Sequence, residues 1–93
     1  MDILHDDNHK KGEFYILKDI KKIAAITYTW AGNDKIIIDH TEVDESLKGQ
    51  KIGYKLVEKV VTFARNKKIK ILPLCPFANY VLHKNSNYKD ILF

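Results

Sequence analysis

The feature that most constrains this chain is a change of hydrophobic period near Val43. Before it, apolar residues alternate. "IAAITYTW" (Ile23–Trp30) puts Ala24, Ile26, Tyr28 and Trp30 on one face, and "KIIIDHTEV" (Lys35–Val43) does the same with Ile36, Ile38, His40 and Glu42. A period of two is that of a half-buried strand. "EFYILK" (Glu13–Lys18) reads as a further strand ahead of them. The connections "DIKK" and "AGND" are short and turn-like, which predicts an antiparallel meander.

From Gln50 the period becomes helical. Ile52, Leu56, Val60, Phe63 and Ala64 form a stripe that Val57 and Val61 widen. The helix is expected over about Gln50–Asn66, with Lys67 and Lys68 at the negative end of its dipole. "KIKILPL" (Lys68–Leu74) reads as a strand that returns parallel to Lys35–Val43 through the helical crossover. Pro76 then suits the first turn of a second helix with a stripe of Phe77, Tyr80, Val81 and Lys84. The expected order is βββαβα, an α/β fold with a mostly antiparallel, twisted sheet and helices packed on it.

A chain of 93 residues predicts one domain. Residues 1–11 are polar and are expected to form a flexible lead-in to a single domain over residues 12–93. His5 and His9, four apart in "HDDNH", fit a solvated tail better than a metal site, and no metal is expected. The single cysteine, Cys75, excludes an internal disulfide framework and fits a reducing cytoplasm. No apolar run approaches the roughly 18 residues of a membrane helix, and the N-terminus lacks a secretion signal's apolar core.

The net charge is +4, yet Arg65 is the only arginine among 16 lysines and arginines. Sequence-specific nucleic-acid readers rely on bidentate arginine. Phe14, Tyr15, Tyr28 and Trp30 could stack on RNA bases, but the aromatic runs of RNA-binding sheets are missing. No specific nucleic-acid partner is expected. The lysine-rich charge reads either as the compositional bias of an AT-rich genome or as suited to an anionic, phosphate-bearing ligand.

"KGQKIG" lies between the third strand and the first helix. Lys48, Gly49, Gln50, Lys51, Ile52, Gly53 and Tyr54 would present unpaired backbone amides and positive charge to a phosphate. The alternative is a turn glycine plus a small residue packed where the helix crosses the sheet. Cys75 stands before a helix N-terminus, which favours thiolate and suits an acyl-accepting nucleophile. It also reads as a small buried hydrophobe. His40 and Glu42, two apart on one strand face, are candidate bases or merely solvated side chains. Asn79 and Tyr80 follow Cys75 by one helical turn.

From His40 to Leu92 the sequence resembles the small, minimal branch of the GCN5-related N-acetyltransferases, most specifically in "LCPFA" and "YKDIL". The resemblance implies that the protein binds acetyl-coenzyme A as co-substrate and transfers its acetyl group to an amine, a small molecule or a protein. The alternative is a non-catalytic acyl-coenzyme A-binding module acting with a partner protein. Larger members hold the pyrophosphate with Gln/Arg-x-x-Gly-x-Gly/Ala. Lys48 takes the first position here, Lys51 the first glycine position and Gly53 the second. Lys51 must therefore avoid positive φ or accept strain. The resemblance further implies that the pantetheine arm lies along Thr41, Glu42 and Val43. Cys75 would stand beside the acetyl group, with Phe77, Asn79 and Tyr80 near the cofactor. The helices that wall the acceptor site in larger members are missing, so an open acceptor groove is expected.

Overall fold

A computed structural model describes residues 2–93 of the chain. The elements are β1 (Leu4–Asp7), β2 (Lys11–Lys18), β3 (Lys21–Trp30), β4 (Lys35–Val43), α1 (Ile52–Lys67), β5 (Lys70–Pro73) and α2 (Pro76–Lys84). Short 3-10 turns cover Glu45–Leu47 and Ser86–Tyr88. The sheet order is β1-β2-β3-β4-β5. The first four strands form an antiparallel meander, and β5 pairs parallel to β4 after the α1 crossover.

The alternation explains the core. Phe14, Ile16, Ile26, Tyr28, Ile36 and Ile38 are buried on the inner face of the sheet. They meet the α1 stripe of Ile52, Leu56, Val57, Val60, Val61 and Ala64 in one continuous cluster. Ala78, Val81 and Leu82 of α2 join the same cluster. Arg65, the only arginine, grips Asp90 through two 3.0 Å hydrogen bonds and fastens the C-terminal turn.

Within the expected lead-in the described residues include a strand, Leu4–Asp7; Met1 lies outside the described residues. Leu4–Asp7 pairs with β2 in register, Leu4 opposite Tyr15 and Asp7 opposite Gly12. Side chains fasten it. His5 Nε2 lies 2.7 Å from the Tyr28 hydroxyl, and its ring stacks on Phe14 at 3.9 Å. Asp7 accepts hydrogen bonds from the Tyr28 hydroxyl and from Trp30 Nε1. This strand lacks apolar alternation because its polar side chains close an aromatic cluster from the rim. Gly12 makes room for that cluster, since a Cβ there would lie 2.2 Å from Tyr28 Cζ.

A second difference changes the site. Thr27 pairs with His40 but Tyr28 pairs with Ile38, leaving Asp39 as the extra residue of a β-bulge. The bulge reverses the alternation beyond it. Thr41 and Val43 pair with the buried Ile26 and Ala24, so they take the inner face. His40 and Glu42, expected on the face of Ile36 and Ile38, pair with Thr27 and Ala25 and point outward.

Candidate active site

β4 and β5 are paired only from Lys35–Ile38 against Lys70–Pro73. The Leu74 and Cys75 amides then both donate to the Ile38 carbonyl at 3.1 Å, and the strands part. Among the described residues the rest of β4, Asp39–Val43, has no strand on that side. Its inward side chains, Thr41 and Val43, form one wall of a cleft of about 340 Å³. The opposite wall is the expected loop, with Lys48, Gly49 and Lys51 leading into Ile52, Gly53 and Tyr54. Phe77 closes the end, its ring edge-on to Tyr54 at 5.4 Å.

The loop's conformation follows from local signals. Asp44 accepts from the Ser46 amide at 2.9 Å and starts a 3-10 turn, and Leu47 is buried as its anchor. Gly49 takes φ +84°. Lys51 caps α1 with φ 56° and ψ 34°, a left-handed conformation that side chains disfavour. Lys51 therefore accepts the strain at this glycine position. No side chain caps α1. Among the described residues the amides of Lys51, Ile52, Gly53 and Tyr54 have no protein acceptor, and the first helical bond runs from Lys55 to the Lys51 carbonyl. Gln50 is turned out of the cleft, its amide donating to the Leu47 carbonyl.

Gly53 has a packing reason. A Cβ there would lie 2.8 Å from Phe77 Cζ, so the small residue lets the two helices meet. The close contact is with Phe77 of α2 rather than with the sheet, and the Gly53 amide also belongs to the unpaired run.

Cys75 caps α2 and is buried, with Sγ 3.4 Å from Thr41 Oγ1. Burial pushes its thiol pKa up. The Ala78 and Phe77 amides and Thr41 favour thiolate more strongly, and the net pKa lies below the ordinary value. Those amides act on the sulfur as nearby dipoles of the α2 start, short of a well-formed capping hydrogen bond.

The other candidates are dispersed. His40 and Glu42 are exposed on the outer side of the strand that carries Thr41. Asn79 Nδ2 donates to the Pro73 carbonyl at 3.2 Å and ties α2 to β5. Tyr80, which helical spacing assigned to the stripe, is 54% exposed with Lys84 over its ring. Ala78 and Leu82 fill the buried positions instead. Sequence reasoning missed Leu47, whose apolar side chain inside a polar loop was the available signal.

β4 and β5 thus part beside a helix start that no side chain caps and whose cap residue is left-handed. The sequence profile of the GCN5-related N-acetyl-transferase family matches residues 13–91. The chain belongs to the GCN5-related N-acetyltransferases. A GCN5-like protein from Staphylococcus aureus is 36% identical over 99% of this chain and 87% of its own, with a TM-score of 0.78. A ribosomal-protein-alanine N-acetyltransferase from Brucella melitensis superposes at 0.65 with 13% identity, over 83% of this chain and 64% of that one. An acetyltransferase from Elizabethkingia anophelis with acetyl-CoA bound superposes at 0.61 with 18% identity, over 81% and 52%. The last two similarities concern the fold alone. No curated protein matches the chain. This N-acetyltransferase has no helix, among the described residues, long and apolar enough to cross a membrane.

Proposed function

We propose that the chain binds acetyl-coenzyme A in the cleft at the start of α1 and passes the acetyl group to an amine. One observation carries the reading. Four consecutive amides without a protein acceptor, Lys51–Tyr54, belong to residues that line the same cleft as the edge of β4 that β5 leaves open. Such a helix start favours the pyrophosphate, and Lys48 and Lys51 add charge. The pantetheine arm then runs beside Thr41–Val43 as a further strand would, with main-chain hydrogen bonds giving affinity. The thioester end lies near Thr41 and Cys75.

The chemistry divides between the two faces of β4. The acceptor nitrogen attacks the thioester carbonyl carbon, the carbon–sulfur bond opens, and coenzyme A leaves as thiolate. The proton released from nitrogen passes to an outward base on this strand, which we assign to His40 or Glu42. A second route is favoured by the lowered thiol of Cys75 and its Thr41 contact. The Cys75 thiolate attacks first, coenzyme A leaves, and the amine then takes the acetyl group from Sγ.

Intact-protein mass spectrometry after incubation with acetyl-coenzyme A, with and without amines, tests the proposal. Acetylated amine is the expected product, and a mass gain on the protein alone marks the route through Cys75. Coenzyme A binding without either product would favour a non-catalytic module. No change in melting temperature at millimolar coenzyme A would sink the cofactor assignment.

A further inference from the structure

Two points of β4 touch Cys75. The Ile38 carbonyl accepts from the Cys75 amide at 3.1 Å, and Thr41 Oγ1 lies 3.4 Å from Cys75 Sγ. Only Asp39 and His40 stand between them, and Asp39 is the extra residue of the bulge. The course of the chain through Asp39 therefore decides where Thr41 arrives relative to the sulfur. A bulge bends its strand and raises the local twist, so its position sets the direction of the residues that follow.

Apolar burial does not choose that position. The core holds Ile36 and Ile38 inside, and no apolar residue follows until Val43. On that ground any of the intervening residues could be the extra one. A side chain makes the choice. Asp39 is half-buried and accepts from Thr29 Oγ1 at 2.7 Å. Thr29 lies on β3 opposite Ile37, so the bond crosses diagonally from the regular ladder to the bulged residue. Among the described residues Asp39 forms no ion pair, which leaves Thr29 as its tie to the neighbouring strand.

The sulfur is sensitive to the outcome. Burial, the Ala78 and Phe77 amides and Thr41 are the foremost influences on it. Of these, Thr41 is the one that β4 supplies.

We infer that Thr29 is a positioning residue for Cys75: its hydroxyl pins Asp39 as the bulged residue, and the bulge so placed brings Thr41 Oγ1 onto the Cys75 sulfur. The use of that thiol in acetyl transfer rests on the Cys75 route proposed above.

Alkylation rates of Cys75 with iodoacetamide across pH, on the full chain without coenzyme A, test this. Thr29→Val removes the hydroxyl at nearly constant shape and should raise the midpoint by about 0.4–1 pH unit, the net worth of one hydrogen bond. Thr29→Ser should keep the parent's midpoint. Added to Thr41→Val, Thr29→Val should move the midpoint no further, because its effect passes through Thr41. Thermal melts verify that each variant is folded. Should Thr29→Val fail to fold, Asp39→Asn and Asp39→Ala carry the test. Both lose the same charge, but only the asparagine keeps an acceptor, so the alanine variant should have the higher midpoint. A parent-like midpoint in Thr29→Val would overturn the inference, as would equal midpoints in the two Asp39 variants. So would a shift that Thr29→Ser shares, or one that persists undiminished beside Thr41→Val. Intact-protein mass after acetyl-coenzyme A separates this inference from the route it serves. A midpoint that follows Thr29 in a protein whose Cys75 gains no acetyl group would keep the positioning role and defeat the Cys75 route. Acetylated Cys75 with a midpoint indifferent to Thr29 would do the reverse.

Discussion

Replacing Lys51 by glycine should make the protein more stable and its coenzyme A binding weaker. Lys51 sits at φ 56°. A left-handed residue with a Cβ costs about 1–2 kcal/mol. Glycine removes that strain but frees the unfolded chain, at a cost of about 0.4–1 kcal/mol. The difference is a gain of about 0.5–1 kcal/mol. For a domain of this size that corresponds to a rise of about 2–8 °C in melting temperature. The glycine keeps the backbone, so the four amides stay in place and only the charge is lost. An exposed charge pair is worth about 0.2–1 kcal/mol, which converts to a dissociation constant raised up to about fivefold. The control lies at the other end of α1. Lys68 is also left-handed, φ 58°, with its amide closing the helix onto Ala64 and Arg65. Lys68→Gly should stabilise by a similar amount and leave coenzyme A affinity unchanged. Apo melts and titrations of both variants are needed. A Lys51→Gly protein that melts below the parent would refute the strain argument. Equal affinity losses in both variants would refute the local role of the Lys51 charge.

Other expectations follow from the packing and the protonation states. Gly12→Ala drives a methyl group into the Tyr28 ring and should cost about 2–3 kcal/mol in urea denaturation. Cys75 should react with an alkylating agent at a pH below that of an unperturbed thiol, and Thr41→Val should raise the apparent thiol pKa while Thr41→Ser preserves it. Burial lowers the His5 pKa, against the opposing pull of Asp7 and Asp6. The folded state therefore prefers neutral imidazole, and this stabilisation is complete above the unfolded value of about 6.5 and lost as pH falls through the folded value. Melting temperatures at pH 7.5 and 5.5 should differ more for the parent than for His5→Gln.

The sequence made the meander, the crossover and the α1 stripe legible because apolar periodicity alone specifies them. The cleft loop was legible for the same reason: its glycines and lysines interrupt two clear periods. Three things were not. β1 is polar, and its stability comes from His5 and Asp7 reaching Tyr28 and Trp30, partners more than twenty residues away. The bulge at Asp39 leaves no mark in a run of alternating residues, yet it decides that Thr41, rather than His40 or Glu42, meets Cys75. Tyr80 fitted a helical stripe, but the smaller Ala78 is what fits where α2 approaches the core.

The short pairing between β4 and β5 has a consequence for how the molecule breathes. β2, β3 and β4 are held to one another by long local ladders, whereas β5 is joined to β4 over four residues and on its other side by an isolated bridge from Ile71 to Leu92. Segments with few paired backbone groups open first, in cooperative units. β5 and α2 should therefore exchange their amide hydrogens sooner than β2 and β3 do. A ligand that touches both β4 and α1 would act as a clasp across the seam, and its arrival should read out as slowed exchange in β5, a strand it need not contact.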